Sequence, residues 1–173
     1  MCSSDLFPSH DNYSVGIGDA CYNFLIGSRS KSIKVGDNCN SLTFGDGCYS
    51  MTFGDNCYSL TFGDECRSMT FGDGCSSLTF GDSCNSLTFG DNCNSLTFGD
   101  VCYSMTFGDY CDSMTFGKGC NSLAFGDGCY SMTFGDNCYS LTFGKECNNL
   151  TLPYNGTYGT LNILGSITGD RVS

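Results

Sequence analysis

The chain has 173 residues, of which 24 are glycine and 15 cysteine, with two prolines and no tryptophan, the size of one ordinary domain or one repeat array. Eighteen acidic against seven basic residues give a formal net charge of -11, a surface that repels phosphate backbones and acidic membranes, so no nucleic-acid binding is expected. The longest apolar runs are a few residues, as at Phe24–Ile26, and no membrane insertion is expected either.

Residues 1–16 read as an N-terminal cap. They begin MCSSDLFPSHDN, with neither a basic nor an apolar leader region, so no Sec-type signal is visible. The expectation is synthesis in the cytoplasm and arrival on a virion or outside the cell after assembly. Fifteen cysteines behind no export signal do not fit a secreted disulfide scaffold.

From Ile17 to Thr151 the chain is fifteen copies of a nonapeptide with the consensus F-G-D-x-C-x-S-[LM]-T. The first copies are degenerate: IGDACYNFL, IGSRSKSIK and VGDNCNSLT. From Phe44 onward the first position is always Phe, and the second is Gly in all fifteen copies. A short fixed period marks a solenoid, whose units are stable only when stacked on their neighbours. A Gly every nine residues, followed by Asp and often by Asn or Gly, excludes helix and supplies turns. Segments such as CYSMTF between the turns are rich in β-formers. Each copy is therefore read as one strand of about five residues and a G-D-x turn, and the fold class as all-β, a β-solenoid (parallel β-helix). Two or three copies per coil in one chain, or three intertwined chains, are all compatible with the pattern. These give shafts of about 35, 24 or 72 Å at the strand spacing, and the single-chain form is preferred.

The varied fourth and sixth positions read as solvent-facing. Phe at the first, Cys at the fifth and Leu or Met at the eighth are placed inward, with Ser and Thr at the seventh and ninth outward. Strict alternation does not permit that set, so a bend near the fifth and sixth positions is expected. The rival, with Cys, Ser and Thr inside, exposes a long apolar stripe and implies assembly through it.

The expected structural core ladder is Cys39, Cys48, Cys57, Cys66, Cys75, Cys84, Cys93, Cys102, Cys111, Cys120, Cys129, Cys138 and Cys147, with Phe44, Phe53, Phe62, Phe71, Phe80, Phe89, Phe98, Phe107, Phe116, Phe125, Phe134 and Phe143. The cysteines are read as small buried hydrophobes. No C-x2-C pair accompanies them and the only histidine is His10, which speaks against zinc. Parallel Cβ vectors speak against stacked disulfides. No metal, cofactor or catalytic residue is assigned, and no enzyme activity is expected: the chain holds neither an acid/base constellation nor a phosphate loop.

Asp at the third position, with Ser28, Lys118 and Lys145 as exceptions, is read as a turn former bonding its own turn backbone. The period is shared with calcium-binding β-rolls, but their several glycines per repeat are reduced here to one fixed Gly. The outward Ser-x-Thr array raises an ice- or surface-binding alternative, against which stand the sixth-position tyrosines Tyr49, Tyr58, Tyr103, Tyr130 and Tyr139.

The string NSLTFGDNCNSLTFGD from Asn85 to Asp100 resembles the tandem T-F-G-[DN]-x-C nonapeptide arrays of phage and prophage tail-fibre-like proteins. It is more weakly similar to surface proteins with Cys-containing leucine-rich repeats. The first resemblance implies a shaft, and with it a structural or adhesive fibre segment of a tail fibre or surface appendage. Expected partners are further copies of the chain, as a homotrimer or end to end, and a cell-surface receptor. Phe44–Cys66 and Phe125–Cys147 differ only at Asp64 against Lys145, a trace of duplication that a shaft tolerates. Residues 152–173, which break the pattern at Pro153, are read as a C-terminal cap or the start of a following module.

Overall fold

A computed structural model describes residues 14–152 and 161–163; residues 1–13 of the expected N-terminal cap over 1–16 and most of the C-terminal segment lie outside the described residues. The solenoid is single-chain, with two nonapeptides closing each coil. Alternate copies fall on two opposed parallel sheets, one of nine strands and one of eight, and each strand between the sheet ends pairs with the strands one coil before and after it. Strand Tyr49–Phe53 pairs with Arg67–Phe71, placing Met51 against Met69 and Phe53 against Phe71. Strand Tyr58–Phe62 pairs with Ser76–Phe80 in the same register on the other sheet. Nine strands span about 38 Å at the usual strand spacing.

The strands lengthen where the repeats become regular. The four strands before residue 45 are two residues long, whereas those from Tyr49–Phe53 to Tyr139–Phe143 are five. After the last copy, Leu161–Ile163 adds to the nine-stranded sheet beside Tyr139–Phe143. Leu141 pairs with Leu161, 20 residues on rather than 18, so the C-terminal segment enters the sheet across a longer connection.

The interior holds the expected three side chains per copy. Cysteines of the fifth position are wholly buried, and Leu or Met of the eighth and Phe of the first lie within a few per cent of it. Serine and threonine outside complete the facing. What makes it possible is a bend at the seventh position rather than at the fifth and sixth: Ser50, Ser59, Ser68 and their equivalents have φ near +56°. A residue in left-handed geometry interrupts the two-residue alternation, so that sixth and seventh side chains both point out and the eighth turns in. The Ser41 N–H donates forward, to the Tyr58 carbonyl one coil on, while the Thr61 N–H donates backward, to the Leu42 carbonyl. Left-handed backbone costs an L-residue on the order of 1–2 kcal/mol, and the inter-coil bonds hold it there.

The fourth position is less free than its variety suggests. Asn56 (φ +55°), Glu65 (φ +57°), Val101 (φ +58°) and Tyr110 (φ +57°) adopt the same left-handed geometry as Gly47 (φ +66°) and Gly74 (φ +66°). Gly and Asn recur there because they tolerate it best.

The fixed Gly of the second position is needed for a different reason. A Cβ on Gly72 would lie 2.8 Å from the Gly54 carbonyl carbon and 2.9 Å from the Asp55 nitrogen. Successive coils approach too closely at this corner for any side chain. Gly72 itself donates to the Phe53 carbonyl at 3.0 Å.

Candidate functional site

Two copies per coil divide the expected cysteine ladder into two columns. Cys48, Cys66, Cys84, Cys102, Cys120 and Cys138 precede strands of the nine-stranded sheet; Cys39, Cys57, Cys75, Cys93, Cys111, Cys129 and Cys147 precede strands of the eight-stranded one. All thirteen are free thiols and fully buried. Cys21, earlier in the second column's register, is disulfide-bonded, and Ser30 holds the equivalent place at the head of the first.

Each thiol is oriented by the backbone one coil back. The Cys57 Sγ donates to the Gly36 carbonyl at 3.3 Å, Cys66 to Gly45 at 3.5 Å and Cys147 to Gly126 at 3.3 Å. The buried Ser30 hydroxyl makes the corresponding bond within its own turn, to the Gly27 carbonyl at 2.9 Å. The corner is therefore narrow and mildly polar, which a thiol suits better than a methyl group. Consecutive thiols of a column also interact with one another, as Cys48 does with Cys66 and Cys120 with Cys102. The acidity follows. Burial pushes Cys39 and Cys147 above the ordinary thiol range. Buried, protonated thiols of this kind are poor nucleophiles.

The phenylalanines form a second continuous device. Phe44 and Phe62, one coil apart, stack at 4.8 Å between centroids and 9° between planes. Phe44 and Phe53, across the two sheets, meet edge to face at 5.4 Å and 87°. Both geometries are favoured for aromatic pairs, and they repeat to Phe134 and Phe143.

At the two edges run columns of aspartate. Oδ1 of Asp37 accepts the Asp55 N–H at 2.9 Å and Oδ1 of Asp55 the Asp73 N–H at 3.0 Å. The expectation that each Asp bonds its own turn is therefore corrected: the carboxylate ties one coil to the next. The geometry arises because the glycine corner brings successive turns within side-chain reach, a three-dimensional fact with no mark in the local sequence. Ser28 replaces Asp through its Oγ, which accepts the Asp46 N–H at 3.1 Å. Lys118 and Lys145 still donate their N–H to Asp100 and Asp127, each at 2.7 Å, but offer no acceptor onward.

The faces carry hydroxyls in register: Thr61 pairs with Thr79, Thr97 with Thr115 and Thr115 with Thr133. On the opposite face the row is interrupted where Thr106 pairs with Ala124. Shallow open grooves lie between the serine and threonine rows, one lined by Ser14, Ser32, Ser50 and Thr52 and one by Ser131, Thr133, Asn149 and Thr151. Among the described residues, no three or more His, Cys, Asp or Glu side chains converge on one point as a chelating site. No family model, curated protein or solved structure matches the chain.

Proposed function

We propose that the chain is the shaft segment of a fibre, structural or adhesive, of a phage tail fibre or cell-surface appendage. The observation that carries this reading is the uniformity of the coils: the same strand pairing and phenylalanine stack repeat from Tyr49 to Phe143, with the aspartate tie interrupted there only after Lys118, a pattern suited to length and stiffness. A solenoid of this kind grows by nearest-neighbour stacking, and removing one coil shortens the rod without disturbing the rest. The test is electron microscopy of the appendage or particle that carries the chain. Deleting residues 82–99, one coil, shortens the filament by about 4.8 Å per chain along its axis and leaves the joined parts intact. A chain found dispersed, with no filament containing it, sinks the reading.

The Thr61–Thr79–Thr97–Thr115 row favours an ice- or surface-binding solenoid as the second reading. Its measurement is thermal hysteresis of the purified protein, with Thr79→Tyr and Thr97→Tyr abolishing it. The third, a cation-binding β-roll, is less favoured because one carboxylate oxygen of each Asp in the regular columns is already committed to a backbone N–H.

A further inference from the structure

The charge of the chain is unevenly placed. The strands of the nine-stranded sheet, from Gly16–Ile17 to Leu161–Ile163, contain no Asp or Glu, and the third-position aspartates lie in the turns. Of the seven Lys and Arg in the chain, three fall on this sheet within three successive coils. Lys31 bridges to Tyr49, Tyr49 pairs with Arg67, and Lys34 pairs with Thr52. Lys31 and Arg67 are therefore two coils apart, about 9.6 Å between backbones.

A groove runs beside these cations. It has a volume of about 420 Å³ and is lined by Lys34 with Ser14, Ser32, Ser50 and Thr52. Gly16, paired with Lys34, stands where the regular copies carry threonine, and a Cβ there would meet nothing within 4 Å, so the groove opens next to the lysine. The Lys31 ammonium lies over the Tyr49 ring, 5.7 Å from its centroid, a contact that steadies the charge. Lys34, Arg67 and the lining Ser32, Ser50 and Thr52 are exposed. The neighbouring turn carboxylates Asp19 and Asp37 each have one oxygen taken up by a backbone N–H of the next coil. Exposed charges more than about 8 Å apart are largely screened at physiological salt. This local set, rather than the net charge of -11, governs an anion laid on the face.

The arrangement suits an anion whose charges are sparse and whose remaining surface is hydroxyl. A nucleic-acid strand carries one charge per about 3.4 Å, too dense for cations spread over two coils. The groove presents serine and threonine hydroxyls, each both donor and acceptor, rather than the aromatic anchor pocket of a peptide site. Sugar hydroxyls pair with such a lining, and sugar carboxylates form charge-assisted hydrogen bonds with Lys and Arg.

We propose that this face binds an acidic polysaccharide, a chain of uronic acids lying along the solenoid axis. Its carboxylates meet Lys34, Lys31 and Arg67, and its hydroxyls meet the serine and threonine rows. The site is independent of the fibre reading, because it belongs to one face of the early coils and not to the length of the array.

The test titrates the full chain with polygalacturonate by calorimetry at physiological salt, with neutral dextran and dextran sulfate as comparisons. Each cation is replaced by a residue that already holds the same position in other coils of this sheet, so the fold is kept: Lys34→Thr as at Thr52, and Lys31→Asn and Arg67→Asn as at Asn85. The expected result is binding of polygalacturonate but not of dextran, weakened about tenfold by each replacement. Lys118→Asp, a larger change of charge made at a turn, leaves binding as it was. No binding of polygalacturonate by the parent chain overturns the proposal, as does binding that survives all three replacements together. Equal weakening by Lys118→Asp would reduce the effect to net charge, and tighter binding of dextran sulfate would reduce it to charge density; either result also overturns it.

Discussion

The Asp55 carboxylate accepts the backbone N–H of Asp73 at 3.0 Å, eighteen residues on, and so ties one coil to the next at the solenoid's edge. Removing the acceptor from one side chain should cost both that bond and the order of the following turn. Asp55→Ala should destabilise by about 1 kcal/mol. Asp55→Asn keeps an oxygen for the bond and removes one charge from a run of stacked aspartates, so it should be neutral or slightly stabilising. Urea unfolding followed by circular dichroism distinguishes them; equal midpoints for the two variants would show that the tie contributes nothing.

Gly72 faces Gly54 and Asp55 of the preceding coil with no room for a methyl group, its added Cβ coming within 2.8 Å of backbone. Gly72→Ala should therefore force the coils apart and cost about 3 kcal/mol. Gly74, with φ +66°, tests a different constraint. Gly74→Asn should cost only a few tenths of a kcal/mol, since Asn is among the residues best suited to left-handed backbone. A benign Gly72→Ala would mean that close approach is not why the second position is glycine.

Val101 is β-branched, 53% exposed and held at φ +58°, a conformation such residues rarely adopt. Relief of that strain should make Val101→Gly or Val101→Asn more stable than the parent by about 1 kcal/mol, with little packing lost. The reverse change, Gly119→Val at φ +67°, should lower stability by a similar amount. Thermal melts decide it, and a drop in melting temperature for Val101→Asn contradicts the assignment of strain.

The Cys39 and Cys147 thiols make stability depend on alkaline pH. Burial raises the Cys39 and Cys147 pKa above the unfolded value of 9.0. The thiol contribution is therefore present in full below pH 9 and is lost as pH rises from there through the folded-state value, because the unfolded chain releases protons that the native chain keeps. Each such thiol contributes a slope of up to 1.36 kcal/mol per pH unit, so stability should begin to fall as pH passes 9.0. Replacing Cys39 by Ser should reduce the slope by one proton. Stability that holds constant to pH 11 would mean the thiols ionise as readily folded as unfolded.

Much of the fold was legible without coordinates, since the nine-residue period, the invariant Gly and the always-apolar first and eighth positions leave few other ways to bury Phe, Cys and Leu. The misplaced bend shows where that reasoning stops. Apolar alternation says that a residue must break the pattern between Cys57 and Leu60, but sixth and seventh side chains both look solvent-facing, and only backbone angles distinguish Tyr58 from Ser59. A trace was present: the seventh position is Ser in nearly every copy and Asn at Asn23 and Asn149, small polar residues throughout, the kind found at left-handed positions. The Asn and Gly of the fourth position carried the same mark beneath their variety.

The sequence alone determined the repeat, its strand-and-turn unit and which facing of the side chains is favoured, because burial depends on polarity and period, which are local and repeat faithfully. The number of copies per coil, the division of the cysteines into two columns and the partner of each aspartate were decided only by the tertiary structure. Their physical cause is the same in each case. Identical copies carry no label saying which one lies above which, and only the closing of the chain on itself, with glycine corners pressed backbone to backbone, sets Asp73 over Asp55 and Cys66 over Cys48.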